Sequence, residues 1–269
     1  CPPLKFKFDS QFYSDILAQP DALRTCLKGR YSVSPKPSIA FESIDDTILS
    51  KISNAHRVII CACGTSHNSA LVGEYAIEQI ARIPTKAEYA SEFRYKQDQL
   101  NKNKDIFVAI SQSGETADTL SALRQIKEEE NYIGTIAICN VPESSIAREC
   151  DSTLITHAGP EIGVASTKAF TTQLVALMLL IIVLGKNFEI SEEIEKSLCE
   201  QLQTLPEKIK STLDLDQEIA ELSKIFSNKE HALFLGRGSH FPIAREGALK
   251  LKEISYIHAE AYAAGELKH

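Results

Sequence analysis

The sequence lacks an excess of basic residues. Its 269 residues carry 29 Lys and Arg against 36 Asp and Glu, which gives a formal net charge of −7. General nucleic-acid binding relies on a basic stripe, because contacts to phosphates dominate the affinity. No such stripe is present, so we predict no nucleic-acid partner.

The sequence also lacks paired metal ligands. Its seven cysteines are scattered, their number is odd, and Cys61 and Cys63 have no second Cys or His pair at zinc-site spacing. We therefore expect no metal and no cofactor. Reduced thiols in a cytoplasmic protein are the predicted state of the cysteines.

Long apolar segments are missing as well. The longest run, residues 174–184, has 11 residues, which predicts a buried helix because a bilayer span needs about 20. The opening residues, Cys-Pro-Pro-Leu-Lys, contain no apolar segment of a secretory signal. We expect a cytoplasmic protein without membrane contact. The chain begins without Met and ends at His269, and we expect it to be a piece of a longer polypeptide.

Strands and helices alternate through the middle of the chain. After an N-terminal helical arm (1–48), with helices at 12–17 and 21–27 separated by Pro20, a first domain is predicted over 49–200. The alternation predicts an α/β fold with a mainly parallel sheet flanked by helices on both faces. The predicted strands are 58–63, 85–89, 105–110, 133–139 and 152–156, and the predicted helices are 70–83, 117–130 and 168–184.

The C-terminal part, residues 201–269, is predicted to hold linker helices and the start of a second, similar domain. Pro206 is expected near a helix start. A strand (232–235), a turn (236–239) and a helix (242–257) then repeat the order of the first domain. The Ala-rich segment 259–268 is predicted to be helical.

A hydroxyl-rich loop, Ser111-Gln112-Ser113-Gly114-Glu115-Thr116, lies between a predicted buried strand and a predicted helix. Helix N-termini favour anions because their N–H groups lack partners and the helix dipole is positive there. The loop has no Lys and so is not a nucleotide-binding P-loop. It predicts a small phosphorylated ligand, although simple helix capping by Ser and Thr is the alternative.

Two further loops are expected at the same edge of the sheet. Thr65 and Ser66 follow the first strand in a predicted turn with Gly64, and Val164 and Ser166 precede the 168–184 helix. In open α/β sheets ligands lie beyond the carboxyl ends of the strands. The three loops together predict a neutral, hydroxyl-lined pocket for a phosphate dianion.

Charged residues are spaced along one predicted helix face. Glu246, Lys250 and Glu253 fall at i, i+4 and i+7. A carboxylate base next to a cation suits proton transfer beside a sugar carbonyl, whereas an exposed ion-pair face is the commoner meaning of this spacing. His258 and His269 are candidates for opening a sugar ring, and His258 could equally be a packed or capping residue.

These segments resemble one family in sequence. Together they resemble the isomerase part of the glutamine–fructose-6-phosphate aminotransferases over almost the whole chain. The resemblance is carried by Cys63-Gly64-Thr65-Ser66, by residues 90–95, by residues 111–119, by Ser166 to Gln173, and by residues 233–269, with residues 19–22 and 29–30 in the arm.

The resemblance implies two tandem sugar-isomerase (SIS) domains that act on fructose 6-phosphate. Glutamine-derived ammonia would add at C2, and isomerisation would give glucosamine 6-phosphate. Glu253 would move the proton between C1 and C2, Lys250 would assist at the sugar oxygen, His269 from a neighbouring subunit would open the ring, and Glu246 would position Lys250 or His269. The implied substrate-binding residues are Thr65, Ser66, Ser111, Gln112, Ser113, Thr116, Val164 and Ser166.

The resemblance also implies partners and missing parts. A glutaminase domain belongs on the full-length chain, and activity would require a homodimer. The family's second SIS domain and its C-terminal tail extend beyond His269, so we expect little turnover from this chain alone. The alternative function is a non-catalytic SIS module that senses a sugar phosphate and regulates a partner, which would have no need for Glu246, Lys250, Glu253 and His269.

Overall fold

The first described elements, between residues 11 and 27, are two helices. A computed structural model describes residues 11–41, 44, 46–96, 104–129, 132–186 and 190–269. Pro20 lies in the first turn of the second helix, where its missing N–H leaves no helical hydrogen bond unmade. The elements are helices α1 (Gln11–Leu17) and α2 (Gln19–Leu27), a short hairpin of β1 (Tyr31–Ser32) and β2 (Ser38–Ile39), and helix α3 (Asp46–Ser53).

Five parallel strands form the central sheet, as the alternation predicts. Their order is β4-β3-β5-β6-β7, with β5 in the middle and all seven of its residues buried. A strand that is covered on both faces reads as a continuous apolar run, which is why residues 105–110 could be recognised in the sequence. The strands are β3 (Arg57–Ala62), β4 (Thr85–Tyr89), β5 (Asp105–Ser111), β6 (Gly134–Cys139) and β7 (Ser152–Ile155).

Helices cover both faces of this sheet, which confirms the predicted fold class. One apolar cluster includes Ile60, Val108 and Leu177, and the opposite cluster includes Phe107 and Leu123. The covering helices are α4 (Gly64–Ala76), which continues as a π-helical turn (Ile77–Ala81), α5 (Ala90–Phe93), α6 (Ala117–Glu129), α7 (Ser145–Glu149) and α8 (Lys168–Lys186).

Helix α8 is longer than the apolar run inside it. With 19 residues, it is the one helix in the described part of the chain whose length and composition would suffice to cross a membrane. Its side chains are mostly buried, and Leu177, Leu180 and Ile181 pack in the core against the sheet. The predicted buried helix is therefore confirmed, with a length that sequence alone underestimated.

The C-terminal part corrects two predictions. Residues 258–263 form a strand, not a helix, because main-chain bonding to β8 and packing on α11 outweigh the helix preference of Ala. Pro206 lies inside α9, where it is buried, and not near a helix start. The elements are α9 (Glu192–Leu213), α10 (Asp216–Ser223), a 3₁₀ turn (Lys224–Phe226), β8 (His231–Gly236), α11 (His240–Ser255) and β9 (His258–Ala263).

Strands β8 and β9 pair in parallel, and α11 packs against both. This is the strand–helix–strand order of the first domain's beginning, β3–α4–β4. The repeat predicted the strand and the helix, whereas the second strand, β9, was predicted to be helical. The predicted domain boundaries at residues 48 and 200 fall inside α3 and α9, and they stay predictions.

Phe107→Ala tests the core beneath the site. Phe107 is 1% exposed in the centre of the sheet, so its truncation is expected to lower the free energy of unfolding by about 3–5 kcal/mol. Urea titration followed by circular dichroism measures the change. The matched control is Phe226→Ala, whose side chain is 55% exposed. Equal losses in both variants would contradict the assignment of Phe107 to the core.

Candidate functional site

The predicted loops emerge at one edge of the sheet. Strands β3 and β5 are parallel neighbours in register Ala62↔Ile110, so the segments after them begin side by side. The segment Gly64–Ser66, predicted as a turn, is instead the first turn of α4. Gly64 has a φ of +55° at this strand-to-helix junction. Thr65 and Ser66 therefore lie at a helix N-terminus, where the N–H groups face a ligand position.

The loop between β5 and α6 gathers its hydroxyl groups by internal hydrogen bonds. Ser111 Oγ lies 2.7 Å from Thr116 Oγ1 and accepts the Gly114 N–H at 3.0 Å. Ser113 Oγ accepts the Glu115 N–H at 3.2 Å and is exposed, and the Gln112 carbonyl accepts the N–H of Asn140 at 3.0 Å. Ser111 and Thr116 are thus brought together as predicted, at the N-terminus of α6.

Gly114 makes this loop geometry possible. Its φ is +67°, and a Cβ built on it would lie 1.9 Å from Ser144 Oγ. The Ser144 hydroxyl is itself fixed by its hydrogen bond to the Val141 carbonyl at 2.8 Å. Both the backbone conformation and the close approach require glycine here.

The first turn of α4 is joined to α11 through Glu246. Thr65 Oγ1 donates to one oxygen of the Glu246 carboxylate at 2.9 Å, and Asn68 Nδ2 donates to the other at 2.8 Å. Glu246 is buried, and these two donors replace the water that a carboxylate loses on burial. The contact ties the second unit to the carboxyl edge of the first sheet.

The predicted charged face of α11 has the expected geometry. Lys250 Nζ lies 3.4 Å from Glu246 Oε1, donates to Thr65 Oγ1 at 3.2 Å, and is in direct contact with Glu253. Glu253 is exposed, whereas Glu246 is buried. The charged face therefore has a buried carboxylate, that of Glu246, at one end and an exposed carboxylate, that of Glu253, at the other. Lys250 lies between them.

The two histidines of the prediction lie elsewhere. His269 is exposed, and its backbone N–H donates to the Glu266 carbonyl at 3.1 Å. His258 is the first residue of β9, exposed, with its Nδ1 3.3 Å from Nδ1 of His231 and its Nε2 3.3 Å from Glu260. In the described residues no hydrogen bond or ion pair joins either histidine to Glu246, Lys250 or Glu253.

The loop before α8 is organised by a carboxylate that the sequence did not indicate. Glu161 accepts the Ser166 hydroxyl at 2.7 Å, the Thr167 N–H at 2.7 Å and the Ala169 N–H at 3.3 Å. The Glu161 carboxylate thereby accepts hydrogen bonds from free N–H groups at the N-terminus of α8, where the helix dipole favours a negative charge. Val164 is 99% exposed at the tip of this loop.

A buried ion pair holds the same loop from behind. Lys168 Nζ lies 2.8 Å from Asp15 of α1, and the Gly163 N–H donates to Asp15 Oδ2 at 3.0 Å. Burial alone would raise the pKa of Asp15, but the hydrogen bonds from Lys168 and Gly163 outweigh burial and lower it. Sequence reasoning missed this pair because its partners are far apart in the chain.

Gln173 was also missed. It belongs to the segment 166–173 that carries the resemblance, yet the pattern gave it no role. Its amide donates to Ser66 Oγ at 3.0 Å and accepts from Ser69 Oγ at 2.7 Å. Asn68, the second donor to Glu246, had no sequence signal either.

An aromatic cluster lies beside the first turn of α4. The ring of His67 stacks on Tyr89 with centroids 3.6 Å apart, and Arg245 hydrogen-bonds to the Tyr89 hydroxyl. Burial, with the charge of Arg245, lowers the pKa of His67 to about 4, so this ring is neutral near pH 7. A cleft of about 450 Å³ is lined by residues that include Asn68, Tyr89, Arg245 and Lys252.

The cysteines of the described residues are free thiols, and their surroundings make several of them poor nucleophiles. Burial raises the pKa of Cys26 to about 11 and that of Cys150 to about 12. Within the described ranges, no group of three or more His, Cys, Asp or Glu is placed to hold a metal ion.

Together, the parallel sheet, the helices on both of its faces and the polar loops at its carboxyl edge define an α/β protein with a candidate ligand site at that edge. The SIS-domain family matches residues 51–183 and 225–269. The chain belongs to this family, and both the five strands of the central sheet and the β8–α11–β9 unit fall within the match.

Known proteins of similar sequence and structure support this assignment to the SIS-domain family. The chain is 51% identical to the glutamine–fructose-6-phosphate aminotransferase (isomerizing) of Escherichia coli K12 over 255 residues, which are 95% of the chain and 41% of that protein. It matches the C-terminal domain of the glucosamine-fructose-6-phosphate aminotransferase of Francisella tularensis with a TM-score of 0.91 and 46% identity, over 97% of this chain and 72% of that one.

A more distant match is the glucosamine-6-phosphate deaminase structure from Thermotoga maritima, with a TM-score of 0.71 and 25% identity, over 97% of this chain and 72% of that one. The chain spans about two fifths of the length of the aminotransferase relative from Escherichia coli.

Gly114→Ala tests the geometry of the Ser111–Thr116 loop. The added methyl group would meet Ser144, and Ala at positive φ is strained, so we expect a loss of at least about 1 kcal/mol in the free energy of unfolding. Gly159→Ala is the matched control, because its φ is +72° but nothing lies within 4 Å of the new Cβ. Thermal unfolding and amide exchange of residues 111–116 measure both variants. An equal effect in the two would show that the clash with Ser144 has no consequence.

Proposed function

We propose that the chain is the isomerase part of an aminotransferase that converts fructose 6-phosphate and glutamine-derived ammonia to glucosamine 6-phosphate. The observation that carries the proposal is Lys250, fixed by Thr65 between the carboxylates of Glu246 and Glu253. The 51% identity to the Escherichia coli aminotransferase supports the choice of reaction. A module that only binds a sugar phosphate has no chemical need for this arrangement.

The phosphoryl group of the substrate would bind at the N-terminus of α6. Ser111 and Thr116 present their hydroxyls there, with Gln112 and Ser113 in the same loop, and Thr65 and Ser66 lie in the first turn of α4, after the neighbouring strand β3. Several neutral donors and a helix N-terminus can hold a phosphate dianion without a lysine in the loop. Val164 and Ser166 would line the sugar.

The chemical steps would be divided among α11 and a second subunit. Ammonia adds at C2 and water leaves, Glu253 takes the proton from C1 and returns it at C2, and Lys250 stabilises charge on the sugar oxygen. Glu246 holds Lys250 in place. His269 would open the ring of a substrate bound to the partner subunit, so the active form would be a homodimer.

The proposed setting follows from the reaction. A glutaminase domain on the full-length chain would supply ammonia, and the proposed location is the cytoplasm. No metal or cofactor is needed for these steps, because Glu253, Lys250 and His269 would provide the acid–base catalysis.

Calorimetric titration of fructose 6-phosphate into the full-length protein tests the binding step. We expect saturable binding, and Ser111→Ala should weaken it roughly tenfold or more, because a hydrogen bond to a charged group is lost. Ser227→Ala, at an exposed serine that bonds only to its own helical turn, is the control. Absence of heat with both fructose 6-phosphate and glucosamine 6-phosphate at millimolar concentration would refute the proposal.

Glu253→Gln in the full-length protein tests the proton transfer. The amide keeps size and polarity but cannot take a proton, so kcat should fall roughly 10²- to 10⁴-fold while sugar binding persists. Glu192→Gln, at an exposed position in the first turn of α9, is the control. Undiminished turnover in Glu253→Gln would reject this role. Binding without turnover in the unaltered protein would favour the sensing module instead.

A further inference from the structure

A buried amide connects α8 to the first turn of α4. Gln173 is 1% exposed and lies in the second turn of α8. Its Nε2 lies 3.0 Å from Ser66 Oγ, and its Oε1 lies 2.7 Å from Ser69 Oγ, so one side chain bridges two hydroxyls of the same helix. The amide is therefore fixed at both ends.

The direction of these hydrogen bonds determines what Ser66 can offer a ligand. A hydroxyl has one proton to donate and two lone pairs to accept with. Because the amide N–H of Gln173 occupies a lone pair of Ser66 Oγ, the proton of Ser66 is left for another acceptor. In the described residues no carbonyl or carboxylate takes that proton.

The structure gives the amide this direction. The Ser69 hydroxyl has one proton and two acceptors within reach, Gln173 Oε1 at 2.7 Å and the Thr65 carbonyl at 3.1 Å. The proton goes to the nearer oxygen, that of Gln173, and the amide nitrogen then faces Ser66. With the opposite direction, Gln173 would take the Ser66 proton, and Ser66 would present lone pairs to its ligand.

We propose that Gln173 is a positioning residue that makes Ser66 a hydrogen-bond donor to the phosphoryl group. The inference rests on the proposed function, since it assumes that the sugar phosphate binds at this edge of the sheet. Phosphate oxygens only accept, so a Ser66 whose proton is reserved for them favours binding, and one whose lone pairs face them opposes it. Gln173 touches no substrate and acts through Ser66.

Gln173→Met in the full-length protein tests the inference by steady-state kinetics with fructose 6-phosphate. Methionine fills the space but leaves Ser66 free to rotate, so KM should rise roughly five- to twentyfold with kcat little changed. Gln201→Met is the matched control, because Gln201 is an exposed helical glutamine that also donates to a serine hydroxyl, that of Ser197.

A double-mutant cycle separates positioning from general loss of structure. In a Ser66→Ala background, Gln173→Met should raise KM no further, because the hydroxyl it orients is gone; a purely structural defect would add to the first in full. Ser69→Ala is the milder second variant if Gln173→Met does not fold, and it should raise KM in the same direction by loosening the amide.

The outcomes discriminate clearly. An unchanged or lower KM in Gln173→Met, or full additivity in the cycle, overturns the inference while saturable binding by the unaltered protein leaves the proposed function standing. If the unaltered protein does not bind fructose 6-phosphate, the proposed function fails and this inference fails with it.

Discussion

The buried carboxylate of Glu246 is the constraint on which the rest of the site depends. Burying a carboxylate away from water costs on the order of several kcal/mol, as for other buried ions, unless hydrogen-bond donors and a cation replace the lost hydration. Here Thr65 and Asn68 supply the donors from α4, and Lys250 supplies the cation from α11 itself. Satisfying Glu246 therefore requires α11 to dock on the first turn of α4. That docking places Lys250 and Glu253 at the carboxyl edge of the sheet.

Because Glu246 is buried and bonded to α4, the charged face of α11 differs from an ordinary ion-pair face on a protein surface. Exposed pairs at i, i+4 spacing contribute little to stability because solvent screens them and their side chains stay mobile. On α11 the first carboxylate is buried, Lys250 is bonded to a hydroxyl of another helix, and only Glu253 is exposed. The cation is thus held from another helix, whereas the terminal carboxylate is exposed and pairs with that cation. A base that must reach two adjacent carbons of a sugar benefits from a fixed cation and an accessible carboxylate.

The sequence contained most of the fold and about half of the site. Strand β5 and helix α8 were recognisable because burial on all sides leaves a continuous apolar run, and the α11 face because its spacing matches a helical turn. Residues 259–263 were predicted wrongly because their partner strand β8 lies more than twenty residues away and local preference cannot report it. Gln173 and Asp15 were missed for a related reason. Each acts through a contact between segments, and a polar residue inside a pattern gives no sign of which distant group it meets.

The N-termini of α6 and α8 at this edge are not equivalent, and the difference bears on which part of the proposed sugar phosphate each would bind. At α8, Glu161 already accepts the N–H groups of Thr167 and Ala169, so a phosphate dianion there would be repelled by the carboxylate. At α6, within the described part of the chain, no side-chain carboxylate accepts from Thr116 or Ala117, and the Ser111 and Thr116 hydroxyls lie beside them. The phosphoryl group would therefore bind at α6. The Ser166 hydroxyl donates its proton to Glu161, so only its lone pairs are left for a ligand. A sugar hydroxyl is uncharged and has a proton to donate, and Ser166 can accept a hydrogen bond from it.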